Sequence, residues 1–354
     1  MARNPLTRAA ALLTASMMLA GCVTTQAGRI GYDDGSDGCR PQLAALDATG
    51  DFYGEDILQG AAVGALSGAL IGGLASGRWQ GALIGAAVGG AAGATVGYFS
   101  AVQRQARDQS AVYAQISADL GRENAQLDRT QVAFSQLMDC RLFAAARVRE
   151  LVATGRMDRV SGQQQLANIR ARFQADIQLA QSINGRITAR GNEFDTAIES
   201  VVPGGKASIQ TAMYRPPPVR VAPRRPIEVK FQPSATSASI ARLNQSDVVS
   251  VRPGPPGFAL VETATGVRGY APADAFPAQQ QRAAARSSEG AASAAVVPAS
   301  ASPGQQASAP AAASGGADVR SLAATNISRR ENFAESVGNA ERLAQAGGGF
   351  ELAG

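Results

Sequence analysis

The sequence has no histidine. That removes imidazole metal ligands and the Ser-His-Asp and Cys-His nucleophile pairs in one step. Lysine is nearly absent too, with only Lys206 and Lys230, so arginine carries the positive charge. The net charge of +5 includes Arg3 and Arg8 of the leader described below. So small an excess on a long chain does not mark a nucleic-acid partner. Aromatics make up 5% of the chain and tryptophan occurs once. No paired acidic motif falls in a segment expected to fold. No catalytic residue, metal ligand or cofactor site is assigned, and the chain is read as not an enzyme.

What is there begins with an address. "MARNPLTRAAALLTASMMLAGC" has a basic start at Arg3 and Arg8, then a short apolar core from Ala9 to Met18. The core is too short for a stable span, so residues 1–21 read as a secretory signal peptide. Leu19-Ala20-Gly21-Cys22 resembles the bacterial lipobox at all four positions. The resemblance implies that Cys22 is acylated, with palmitate among the chains, and becomes the mature N-terminus. Val23 stands where an aspartate would favour the inner membrane in enterobacterial lipoproteins, which leans toward the outer membrane, periplasmic face.

Cys39 and Cys140 remain as an even pair in an oxidising compartment. A disulfide is expected, the alternative being two separate thiols.

Residues 22–55 are Gly- and Asp-rich and read as a mostly irregular tether. Residues 56–102 are the most patterned stretch. Glycines recur every fourth position at Gly60, Gly64, Gly68 and Gly72, and again at Gly77, Gly81, Gly85, Gly89, Gly93 and Gly97. Glycine costs a helix about 1 kcal/mol relative to alanine. A helix carrying it in register therefore needs a reason. Ile57 to Ala75 would be about 28 Å long as a helix, and Gly81 to Val102 about 33 Å. Neither run is charged. Between them Ser76 to Gln80 supplies a turn, an arginine and an interfacial type of tryptophan. A bilayer-length helical hairpin is expected. Its glycine faces let backbones approach where lipid offers little hydrophobic drive. Lipid and further copies of the same chain are the expected partners. The alternative is a water-soluble Ala/Gly hairpin packed on itself in the periplasm.

The lipobox, tether and hairpin together resemble the glycine-zipper two-transmembrane outer-membrane lipoproteins of the rickettsial surface-antigen type. That family implies envelope integrity and self-association. The resemblance runs from Cys22 to Val102, and the long C-terminal extension departs from the small family members.

Residues 103–202 read as a long antiparallel helical hairpin. Tyr113, Leu120, Leu127 and Phe134 recur at sevens, with Ile116 and Leu137 beside them and Glu123 and Thr130 weakening the seam. Breaking signals fall at Ala153 to Gly162. Leu166, Phe173, Ala180, Ile187 and Phe194 then form a second seam. Nothing breaks the helix between the second glycine run and this one. A straight continuation would carry Cys140 about 60 Å from the membrane face. Pairing with Cys39 therefore requires the helical region to fold back, and fold-back is favoured.

Residues 203–226 read as a proline-rich extended spacer. Residues 227–276 carry short apolar alternations separated by turns. Asp247 before Val248-Val249 and the run Tyr270-Ala271-Pro272 resemble elements of the bacterial SH3-like domain. That family includes cell-wall-binding and protein-binding members. It implies a small all-β barrel that recognises a ligand without naming it, and peptidoglycan or an envelope protein is the expected partner. Phe258 and Tyr270 are the aromatic contact candidates, unless both belong to the core of the barrel. Residues 277–318 read as a disordered Ala/Ser/Pro/Gly linker, and 319–354 as a tail with one short helix, marginal alone.

The expected fold class is mainly α, with two helical hairpins, a small β barrel and linkers. The expected role is a self-associating outer-membrane lipoprotein that presents a recognition module and supports the envelope. The alternative is an accessory component of a secretion or efflux complex that docks through its helical hairpin.

Overall fold

The computed structural model describes residues 26–53, 98–99, 102–103, 106–212, 217–277, 311–347 and 349–352. The described chain is mainly helical with one six-stranded antiparallel sheet. Helix α1 is Gln26–Ile30 and α2 covers 40–53. The two long helices are α3, Gln109–Ala153, and α4, Arg159–Val201. Helix α5 is Gly205–Ala212, and α6 is Ala311–Gln345.

Local chemistry sets the ends of the long helices. Asp108 caps α3, its carboxylate accepting from the Ala111 N–H at 2.9 Å. Asp158 caps α4 the same way through Ser161, also at 2.9 Å. Between them Gly155 takes φ +71°. The Gly155 N–H donates to Val152 O at 3.1 Å and the Arg156 N–H to Leu151 O at 2.9 Å. That is a Schellman ending, which needs the left-handed residue glycine supplies. The chain reverses there, and α3 and α4 run antiparallel.

Both heptad seams are buried. Tyr113, Ile116, Leu120, Leu127, Phe134 and Leu137 lie inward on α3, as do Leu166, Phe173, Ala180, Ile187 and Phe194 on α4. The two polar interruptions have partners. Glu123 accepts from Arg190 Nε at 2.5 Å, and the Thr130 hydroxyl donates to Gln126 O at 2.9 Å.

The hairpin is not alone. Helix α6 lies along both long helices and makes the bundle three-stranded. Phe333 and Phe134, both fully buried, meet edge to face with ring centroids 5.7 Å apart. Asn124 Nδ2 donates to Leu322 O at 3.1 Å, and Asn326 Nδ2 to Asn124 Oδ1 at 3.2 Å. The short, marginal tail helix expected over 319–354 is therefore corrected. The helix begins inside the expected 277–318 linker. Its small and apolar side chains suffice because two helices already offer a groove for them. Residues 278–310 lie outside the described residues.

The tether expected over 22–55 is corrected as well. Leu43, Leu46 and Tyr53 of α2 are buried in the bundle core. Arg29 binds Asp47 through Nε and Nη2 at 2.7 and 2.8 Å, closing the α1–α2 turn.

The sheet has strand order β1-β4-β5-β6-β2-β3. Its strands are β1 Val219–Val221, β2 Ile227–Lys230, β3 Ser239–Leu243, β4 Val249–Pro253, β5 Phe258–Glu262 and β6 Arg268–Pro272. Strand β1 and helix α5 fall in the 203–226 spacer, which is thus not wholly extended. Arg220 pairs with Ser250 in the β1–β4 ladder. Gly269 allows β6 to lie close on β2. A Cβ there would sit 2.5 Å from Val229 Cγ1 and 2.7 Å from Lys230 O.

The sheet's inner face joins the bundle core. Asp139 of α3 accepts from the Ser237 hydroxyl at 2.8 Å and from the Ala238 N–H at 3.0 Å. Asn339 of α6 bonds both backbone groups of Arg268, at 2.7 and 2.6 Å. A module swinging on a proline spacer is not what the chain builds. Its β region is seated on the helices.

Candidate functional site: the root of the glycine-rich segment

Cys39 and Cys140 are joined as a disulfide, with their Cα atoms 5.9 Å apart. The continuous helix expected from the second glycine run does not form, since Asp108 starts α3 afresh. Fold-back of the bundle onto the N-terminal arm removes the conflict between a projecting helix and the bond.

The disulfide sits beside a buried ionic knot. Arg141 Nε donates to Asp176 at 2.7 Å, and Arg141 Nη2 donates to Asp37 at 2.9 Å. Asp37 also accepts the Cys39 N–H at 3.0 Å. Burial pushes the Asp176 carboxyl above the usual carboxylate range despite Arg141. At Asp37 burial pushes the same way but loses: hydrogen bonds from Arg141 and Cys39, with the charges of Arg141 and Arg172, hold it below that range. Burial opposes the Arg141 charge, yet the two carboxylates raise its guanidinium pKa further.

The described part of α2 runs up to the glycine-rich segment, and its last turns are tied down. Gln126 Nε2 donates to Thr49 O at 3.3 Å, and Arg186 Nη1 to Gly50 O at 3.2 Å. The Tyr53 hydroxyl, fully buried, lies 3.2 Å from Thr130 Oγ1. Because Thr130 already donates to Gln126, Tyr53 is the donor. Burial pushes the Tyr53 phenol well above its ordinary value. On the far side of the segment the Tyr98 hydroxyl donates to Asp119 Oδ2 at 2.7 Å. The Tyr98 ring lies 5.1 Å from that of Phe194, and Val102 is buried in the same cluster. The boundary of the expected 56–102 hairpin is therefore corrected at its end: Tyr98 and Val102 pack on the bundle.

Arg190 of α4 stands between the two ends. Its guanidinium carbon is 4.8 Å from the Phe52 ring centroid and 5.7 Å from that of Phe194. Apart from Phe194, which the second seam already includes, these residues are not marked by the sequence periodicity. The available signal was an aromatic pair at each flank, Phe52-Tyr53 before the glycines and Tyr98-Phe99 after them.

Phe258 and Tyr270 lie on neighbouring strands. Phe258 is opposite Pro272, and Leu260 is opposite Tyr270. Both aromatics are half-buried and share the face turned away from the core. A shallow recess near them is lined by Pro218, Ser250, Arg252, Leu260, Glu262 and Arg268. Cys22 and the glycines Gly60, Gly64, Gly68, Gly72, Gly77, Gly81, Gly85, Gly89, Gly93 and Gly97 lie outside the described residues. Among the described residues no helix is long and apolar enough to cross a membrane. Among them, too, no group of three or more cysteine, aspartate or glutamate residues could hold a metal ion.

Residues 42–101 match the YMGG-like Gly-zipper family. The matched stretch takes in most of α2, the glycine-rich segment and the Tyr98 flank. It supports a membrane-associated protein with a glycine zipper. No curated protein and no solved structure matches this chain.

Proposed function

We propose that this chain is an outer-membrane lipoprotein of the rickettsial surface-antigen type, anchored through an acylated Cys22. It self-associates through the glycine faces of its zipper and holds an SH3-like recognition module on the periplasmic side, supporting envelope structure. The observation that carries the reading is the glycine-zipper match at 42–101, flanked by two ends that are both fixed to one helical bundle. Small residues at every fourth position suit helix association in lipid, where packing rather than hydrophobicity drives it. The recognition surface is the outer sheet face with Phe258, Tyr270 and Arg252, offered to peptidoglycan or an envelope protein. Because the module is seated on the bundle, it presents that face at a set height above the membrane. It does not search on a tether.

The test is the native mass of the detergent-extracted protein beside a variant with Gly64, Gly68, Gly85 and Gly89 changed to leucine. A defined oligomer that collapses in the variant is expected. A wild-type monomer, extractable without detergent once Cys22 is replaced by serine, would overturn the zipper as a membrane and assembly element.

A further inference from the structure

The groove between α3 and α4 receives the chain on both sides of the glycine-rich segment. Asp119, which binds Tyr98, and Thr130, which binds Tyr53, both lie on α3. Eleven residues is three helical turns, so the two positions share one stripe about 16 Å apart. Glu123 lies on that stripe between them and accepts from Arg190. Arg190 and Phe194 are one turn apart on α4 and face the same groove. The guanidinium then reaches Phe52 on one flank and Phe194, the ring under Tyr98, on the other. Arg presents two faces and a planar fork, so one side chain can stack on a ring at each side while its edge bonds a carboxylate.

We propose that Arg190 is the clasp of a hairpin receptor. Held by Glu123, it locks Phe52-Tyr53 and Tyr98 into one groove, so that residues 54–97 leave and return at a single face of the bundle. On the membrane reading above, both ends of the zipper then lie on the same side of the bilayer, and the segment crosses it an even number of times. The clasp itself rests only on the described contacts. Arg190 is a positioning residue: it acts by holding the two flanks against each other.

The test is hydrogen–deuterium exchange on the full-length protein in detergent micelles. A Phe52→Leu substitution removes one ring and leaves Arg190 in place. If Arg190 couples the flanks, exchange quickens about ten-fold at the end of α2 and also around Tyr98, as loss of a desolvated cation–π contact implies. Arg190→Met is expected to loosen both flanks together while residues 219–277 stay unchanged. Loosening of α2 alone in Phe52→Leu, or equal loosening of the whole bundle in Arg190→Met, would overturn the clasp. Topology is read separately. Asp51 and Gln103 are exposed and flank the segment. A variant carrying cysteine at both positions is labelled in sealed vesicles with a membrane-impermeant maleimide and weighed. Each chain gains two labels or none if the ends share a side. A population with one label would overturn the hairpin. Release from vesicles after Cys22→Ser would refute the membrane reading instead, leaving the exchange result to decide the clasp.

Discussion

Removing the Cys39–Cys140 bond by changing both residues to alanine tests how the N-terminal arm is held. The bond spans a sequence separation of 101 residues. The chain-entropy relation assigns such a loop about 4.7 kcal/mol at 25 °C, since the cross-link denies the unfolded chain most of its loop conformations. Residual compactness in the denatured state makes this an upper figure. The native arm keeps its other anchors: Leu43, Leu46 and Tyr53 stay buried, and Asp37 keeps Arg141. The variant is therefore expected to fold, with an unchanged far-UV circular dichroism spectrum and a lower urea midpoint. The urea m-value should rise, because an uncross-linked chain exposes more surface on unfolding. A loss of about 3–5 kcal/mol would agree with the loop argument. A loss under about 1 kcal/mol with an unchanged m-value would refute it, and would mean that the arm is held by its packing alone.

Phe333→Ala should cost about 3–5 kcal/mol in a denaturant melt, because the ring is fully buried against Phe134; a change near zero would mean that α6 is not a core element. Gly269→Ala should cost about 1–3 kcal/mol, since the new methyl meets Val229 and the Lys230 carbonyl. Gly121→Ala has open space within α3 and should instead stabilise, by up to about 1 kcal/mol; thermal melts of the pair give opposite signs if the packing is right. Acid titration separates the two carboxylates that share Arg141. Asp37, held below its unfolded value of about 3.9, adds stability above that pH and loses it as pH falls through its folded value. Asp176 is raised, so the native state binds the proton more readily, and its contribution grows as pH falls through the folded value toward about 3.9. Asp37→Asn should therefore flatten the loss of stability below pH ~4, and Asp176→Asn should remove the gain above it, both read from urea midpoints against pH.

Local chemistry was legible where a single element carries its own signal. The heptad seams of α3 and α4 place Leu120, Phe134, Phe173 and Ile187 inward because a helix of period 3.6 returns them to one face. Asp108 and Asp158 cap because a short carboxylate can reach back to free N–H groups. In the sequence alone neither is marked as a cap, and the pattern across Asp108 reads as continuous, since a charged residue in a helical pattern also fits an exposed face. The alternating strands from β2 to β6 were legible for the same reason as the seams. The polar seam residues were not: Glu123 and Thr130 look like flaws until Arg190 and Tyr53 arrive from other elements.

By itself, the amino-acid order determined the periodic elements, the break near Gly155 and the glycine zipper that the family match supports. Those properties depend on neighbours within a few positions. Only the tertiary structure decided that α6 is a third bundle helix, that residues 26–53 fold onto the core and that the β region is seated through Asp139 and Asn339. It alone brought Phe52, Tyr98, Glu123 and Arg190 together at the two ends of the glycine-rich segment. The physical reason is separation along the chain. A sparse apolar stripe is marginal on its own and becomes a core element only when distant helices supply the groove. An arginine reveals its rings and carboxylate only when three separate segments meet around it.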